Sequence, residues 1–403
     1  MMSRMTRRNT ILSLALAVIF VSALQWIYSD HILFKGQAIK QFHSYAISHS
    51  LSQSGNIGDT WLPCRDSVTG KIPQPWAEEP PLFHLWSAAW FRSGVESPAF
   101  PVWLGSTLFL VLCASWVSAW ATGLGAGAFF LVLVSSPAFM RYFSQHLPDL
   151  FATFVLVAAW RALVLEKTKM ALFLTVISAS IKVLTLFPLA ALWAGYLWLP
   201  WNSKKIPTQF LRWLGVMVLA ALPFVLWVEF LKARGIPNPF VFASMGANRH
   251  SGAWSLLWNP NYWARFVTWV FIKGAGLVIS FFVVSRALRL WREKITVSVE
   301  EQLLWFWVLS IIPYWILIRS GNFIHDYYFL PFFFPLALLG SWEWSRILNP
   351  GWRGAMALVI LVLAFAQPLS MDRHRKPGEE APSFCGQEVG LPLDFDSTRL
   401  SPR

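Results

Sequence analysis

The chain is expected to be an all-α polytopic membrane protein, a bundle of about eleven transmembrane helices. Three observations predict it. First, 56% of the 403 residues are hydrophobic and only 13% are charged, too little charge to cover a soluble surface of this size. Second, apolar runs long enough to span a bilayer recur, among them Thr10 to Tyr28, Phe100 to Ala121, Phe210 to Trp227 and Ala355 to Ala366. Third, Lys and Arg alternate between loops, as the positive-inside rule demands. The 25 Trp residues suit a protein with many interfacial rings.

Taken in order, the expected spans are 10–28, 100–121, 123–138, 149–165, 169–182, 185–200, 211–231, 264–285, 303–318, 328–345 and 354–370. The first run lacks a small-residue cleavage site and is followed by further spans, so it reads as a helix and not as a cleaved signal. Arg4, Arg7 and Arg8 precede it and place the N-terminus in the cytoplasm. Every second loop then carries basic residues: Arg161, Lys167 and Lys169; Lys204, Lys205 and Arg212; Arg286, Arg289, Arg292 and Lys294; Arg346 and Arg353. The transmembrane unit covers 1–370, with two long outer loops at 29–99 and 232–263. The polar, Pro-rich tail 371–403 falls outside and is expected to be poorly ordered.

The formal charge of +13 does not indicate nucleic acid, because the basic residues lie in short loops and not on one face. No GxxxxGK[ST] or GxGxxG motif stands between a strand and a helix. The short cytoplasmic loops leave no room for a nucleotide-binding domain, so chemistry is expected on the outer face. Cys64, Cys113 and Cys385 show no metal-binding spacing. Cys64 and Cys385 share the outer side, which permits a disulfide without requiring one.

Candidate site residues are the charges in or beside the spans, which are costly in a membrane and functional by default. In the first outer loop, Glu78 and Glu79 precede Pro80-Pro81 and a helix whose Leu82, Leu85, Trp86 and Ala89 fall on one face, suited to lie along the membrane surface. The plain alternative is acidic charge at a helix start. Asp30, at the end of the first span, could serve as a general base or be merely solvated. Asp149 opens the fourth span, where a helix cap would also explain it. Lys182 sits on the outer side between two apolar runs; a lipid phosphate would explain it, as would snorkelling. Lys273 lies deeper and needs a partner or a watery cavity. Arg141, Arg249, His250 and Arg265 add a cationic outer surface that suits phosphate at the headgroup level. His325-Asp326 opens the tenth span beside Tyr327 and Tyr328. It reads either as a proton-transfer or metal pair or as an interfacial aromatic belt.

Five segments in order resemble the dolichyl-phosphate-mannose protein mannosyltransferase-like family. This group, within the GT-C superfamily (glycosyltransferase family 39), includes the bacterial lipid A aminoarabinose transferases. They are Lys40 to Ala46 (KQFHSYA), Glu79 to Phe83 (EPPLF), Tyr142-Phe143-Ser144 with Pro148-Asp149, Ile181-Lys182, and His325 to Pro331 (HDYYFLP). The resemblance implies a GT-C-type bundle with interfacial helices in the first outer loop and a polyprenyl-phosphate sugar as donor. It implies a carboxylate base, sought among Asp30, Glu79 and Asp149. The family's loop aspartate is absent: Gln37 and Ala38 stand just before Lys40-Gln41. It further implies that Lys182, with Arg249 and Arg265, meets the donor phosphate, and that His325 and Tyr328 line the mouth of the site. The expected reaction is an inverting transfer to a periplasmic-side lipid, glycan or protein at the bacterial inner membrane. A divalent metal would fit this chemistry, but the sequence shows no definite ligand set. A non-enzymatic lipid or glycan transporter, or a catalytically lapsed relative, would carry the same helices and cationic loops.

Overall fold

The computed structural model describes residues 44–45, 47–49, 51–53, 55, 80–95, 132–133, 135–142, 146–198, 206–234, 255–294, 297–318 and 329–347, with a few isolated positions between 15 and 111. Among these residues the structure is helical and contains no strand. The α-helices are α1 (Leu82–Arg92), α2 (Pro137–Tyr142), α3 (Pro148–Val164), α4 (Thr168–Ile181), α5 (Leu186–Trp198), α6 (Ile206–Ala233), α7 (Pro260–Val267), α8 (Leu277–Glu293), α9 (Val299–Leu309), α10 (Ile311–Leu317) and α11 (Leu330–Ile347). A further helical stretch covers the described positions of 44–53.

α3 and α4 form an antiparallel hairpin. α3 starts with Pro148 in its first turn, where the missing N–H is not needed. It stops at a turn in which the N–H groups of Glu166 and Lys167 return to the carbonyls of Leu163 and Ala162. Glu166 takes φ +57 to close it, a position usually given to glycine. α4 ends at Ile181, Lys182 is extended, and a 3-10 turn over Val183–Thr185 leads into α5. α9 runs beside α5, and α11 packs against α8, α3 and α9. The core between them is aromatic: Trp160 and Trp307 both meet Phe334, and Tyr314 meets Phe187, Phe329 and Phe332. These contacts define two ends. The starts of α3, α5 and α11 share one end with the finish of α4, and the starts of α4 and α9 share the other with the finish of α8 and α11.

Among the described residues, helices fall on the expected spans 149–165, 169–182, 185–200, 211–231 and 328–345, and three differences stand out. The span 264–285 is not one helix. α7 continues into a π-helical turn over Thr268–Gly274, and the chain then bends by 107° before α8. Lys273 lies on this turn and is exposed, so it is not at membrane depth within a straight span. The span 303–318 divides at Ser310 into α9 and α10. The helix after Pro80-Pro81 exists, but its buried face is Phe83, His84, Ser87 and Ala88. The expected face is the outer one, with Leu85 and Ala89 exposed. The bundle, and not the membrane surface, takes the inner face. Residues 10–28, 100–121 and 123–138 are described only at scattered points, and 354–370, the tail 371–403, Cys64 and Cys385 lie outside the described residues.

Candidate functional site

Two of the functional candidates that the structure describes, Asp149 and Lys182, meet where α4 breaks. Lys182 is 1% exposed and its Nζ lies 3.3 Å from Oδ1 of Asp149, itself 2% exposed. Leu147, not Asp149, caps α3; Asp149 sits in the first turn, so its carboxylate is available to the lysine. Lys182 therefore does not snorkel. A charge in such surroundings must be paired, and the hairpin supplies the pair. The break itself is satisfied by hydroxyls, as apolar surroundings require. Thr185 Oγ1 donates to the Lys182 carbonyl at 2.8 Å, Ser178 Oγ donates to the Ala152 carbonyl at 3.0 Å, and Thr153 Oγ1 donates to the Asp149 carbonyl at 2.7 Å. Oδ2 of Asp149 is buried and has no hydrogen-bond partner among the described residues.

α1 closes over this break. Phe83 packs with Ala152 and Ile181, directly beside Lys182 in the chain. Its ring also meets Phe151 and His146. Above it lies a buried polar node that the sequence reading missed. Ser48 Oγ donates to the Ser44 carbonyl at 2.8 Å, and is 3.0 Å from Nδ1 of His84 and 3.5 Å from Nε2 of His146. With its proton on the Ser44 carbonyl, the hydroxyl oxygen is an acceptor for whichever ring nitrogen carries a proton. Tyr45 and Phe91 pack edge to face at 5.4 Å, and Arg92 Nε donates to the Ser52 carbonyl. The two helices of the first long loop are thus tied to each other and to the segment that precedes Asp149.

Of the other predicted site residues, Arg265 is described: it lies exposed on α7, 5.8 Å over the Trp269 ring. Asp30, Glu78, Glu79, Arg249, His250, His325, Asp326 and Tyr328 lie outside the described residues. Glu79 immediately precedes Pro80, from which the path to Phe83 is short in sequence. Ser48, His84 and His146 were overlooked because nothing in their local pattern marks them. His84 and His146 stand inside segments already singled out, and a histidine within an otherwise apolar run was the available signal. Among the described residues no three His, Cys, Asp or Glu side chains group as a metal site.

No family model matches the chain, and no curated protein matches it in sequence. Solved structures do match. The crystal structure of ArnT from Cupriavidus metallidurans bound to undecaprenyl phosphate superposes with a TM-score of 0.62 at 13% identity, over 91% of this chain and 66% of that one. The apo structure of the same protein gives 0.58 at 14% identity over the same shares. The chain thus spans about 66% of the length of the ArnT structures it matches. Helices, order and superposition agree, and the chain has an all-α, ArnT-like fold.

Proposed function

We propose that the chain is a membrane glycosyltransferase that moves a sugar from a polyprenyl-phosphate donor to an acceptor, with inversion. The observation that carries this reading is the superposition on an ArnT structure that holds undecaprenyl phosphate. The buried Lys182–Asp149 pair at one end of the bundle supports it. In the proposed site, Lys182 faces the donor phosphate with Arg249 and Arg265, and stabilises the charge that grows on the leaving group. Asp149 has one oxygen committed to Lys182, which suits it to holding the lysine and leaves Asp30 and Glu79 as the candidates for base. The base takes the proton from an acceptor hydroxyl or amine. The freed heteroatom bonds to the anomeric carbon, the bond from that carbon to the phosphate oxygen breaks, and polyprenyl phosphate departs. His325 and Tyr328 would line the entrance. No step is routed through a metal. The site end would face the periplasm and the N-terminus the cytoplasm of a bacterial inner-membrane protein.

The test is turnover of radiolabelled polyprenyl-phosphate sugars by the purified chain, with Glu79→Gln and Asp149→Asn alongside. Wild type should transfer label, and loss of the true base should lower turnover by about 10²–10⁴-fold. Intact donor with all three proteins, across a broad panel of sugars and acceptors, would end the enzyme reading. Binding or flux without cleavage would replace it with a lipid or glycan transporter.

A further inference from the structure

Residues 255–276 enter the sugar-transfer reading only through Arg265, and that reading does not account for the shape of the segment that carries it. α7 and the π-helical turn after it form one arm, Pro260–Gly274, set at 107° to α8. The bend is built in. Gly276 adopts φ +85, and a Cβ there would lie 2.6 Å from the carbonyl oxygen of Ser135; a Cβ on Gly274 would strike the Phe333 ring. Ser136 Oγ donates to the Gly274 carbonyl at 2.5 Å, and Tyr262 OH to the Trp315 carbonyl at 2.7 Å.

The arm has two distinct faces. Tyr262, Phe266 and Val270, spaced four apart, meet the bundle: Tyr262 and Val270 are buried, and Phe266 packs on Trp315 at 5.2 Å. The other side presents Trp258 at 88% exposure, with Trp263, Arg265, Val267, Ile272 and Lys273 also exposed. Residues 255–276 contain no Asp or Glu, and their formally charged side chains, Arg265 and Lys273, are both basic. α8 differs. Its exposed large hydrophobic residues are Leu277, Phe281, Val284, Leu288 and Trp291. They form one apolar stripe about 21 Å long, which is what a helix shows to hydrocarbon. A helix at 107° to a membrane-crossing one runs nearly in the membrane plane.

We propose that residues 255–274 form an in-plane arm that docks on the anionic headgroups of one leaflet, at the bundle end that carries Lys182 and Asp149. Trp rings and basic side chains on an apolar face are the chemistry of that layer. The arm also sets depth. It is fixed to Trp315, the neighbouring Tyr314 packs on Phe187, and Phe187 follows Lys182 by five residues. The lysine turn is thereby held just beneath the headgroup plane. This inference rests on membrane embedding alone and stands or falls apart from the transfer reaction.

The test uses the full chain with Cys64, Cys113 and Cys385 changed to Ser, in nanodiscs of phosphatidylcholine with and without phosphatidylglycerol. Spin labels are placed at Trp258→Cys, Val267→Cys and Ile272→Cys on the arm, and at Leu277→Cys, Phe281→Cys and Val284→Cys on α8. Depth is read from accessibility to oxygen against an aqueous nickel chelate. The arm labels should share one shallow depth, while the α8 labels step inward. Arm depths that advance like those of a spanning helix, by about 1.5 Å per residue, would overturn the proposal, as would arm labels that are fully aqueous. A fluorophore at Ala264→Cys, quenched by headgroup-labelled lipid, reads lipid preference. Phosphatidylglycerol should be favoured at least about threefold over phosphatidylcholine, falling to near parity with Arg265→Gln and Lys273→Gln together. No preference in the parent, or one unchanged by the two substitutions, would overturn the anionic partner.

Discussion

At the end where α8 and α11 finish, Arg286 grips Glu301 through two hydrogen bonds of 2.7 and 2.6 Å, and Arg289 donates to Glu343 at 2.6 Å. At the opposite end Lys182 meets Asp149 once, at 3.3 Å. Both groups are buried, and both balance their charge. They differ in how the balance is reached. The arginine network is forked, draws on three helices and brings in Trp305 Nε1 as a further donor to Glu301. The lysine pair joins two helices at a break, and each group leaves one buried carboxylate oxygen over, Oδ2 of Asp149 here and Oε1 of Glu343 there. A fork fixes the relative register of α8, α9 and α11, whereas the 3.3 Å pair fixes where the lysine sits at the break.

The contrast breaks most visibly through the network. Glu301→Ala should lower stability by about 3–5 kcal/mol, because it strands a buried guanidinium. Thermal unfolding in detergent measures this, and the turnover of whatever folds should match wild type. If activity per folded molecule falls as steeply as stability, the two ends are not separate in role. Next comes the paired replacement Lys182→Met with Asp149→Leu. Removing both charges together should leave stability near the wild-type value, yet donor binding should fall by about tenfold or more. A double variant that binds a polyprenyl-phosphate sugar normally would remove Lys182 from the site. The smallest effect is expected at the bend: Gly276→Ala should cost on the order of 2–3 kcal/mol through its backbone angle and the approach of its Cβ to the Ser135 carbonyl. It should displace the arm while the arginine network holds.

The helices α3, α6 and α11 were legible because their apolar runs are long and uninterrupted. Lys182 and Asp149 were legible one by one, as charges where none is expected, but their pairing was not. It depends on the α3–α4 hairpin bringing together residues 33 positions apart. The bend before α8 hid in a run that is apolar on both sides; the Gly274-Ala275-Gly276 sequence was its only local sign. Ser48, His84 and His146 are separated by 36 and 98 positions, so no local pattern could have joined them. The outer face of α1 was legible from Leu85 and Ala89; its buried face, Phe83, His84, Ser87 and Ala88, was not, because composition does not say that the bundle covers the opposite side.

The interruption at Lys182 has a cost in length. α4 has 14 residues between its turn at Glu166 and the break at Lys182, so it rises only about 21 Å across a hydrocarbon layer of roughly 30 Å. A bilayer must pinch inward to meet a helix this short. The dimple would form around the lysine turn, and a lipid diffusing into it would arrive with its headgroup already lowered toward that charge.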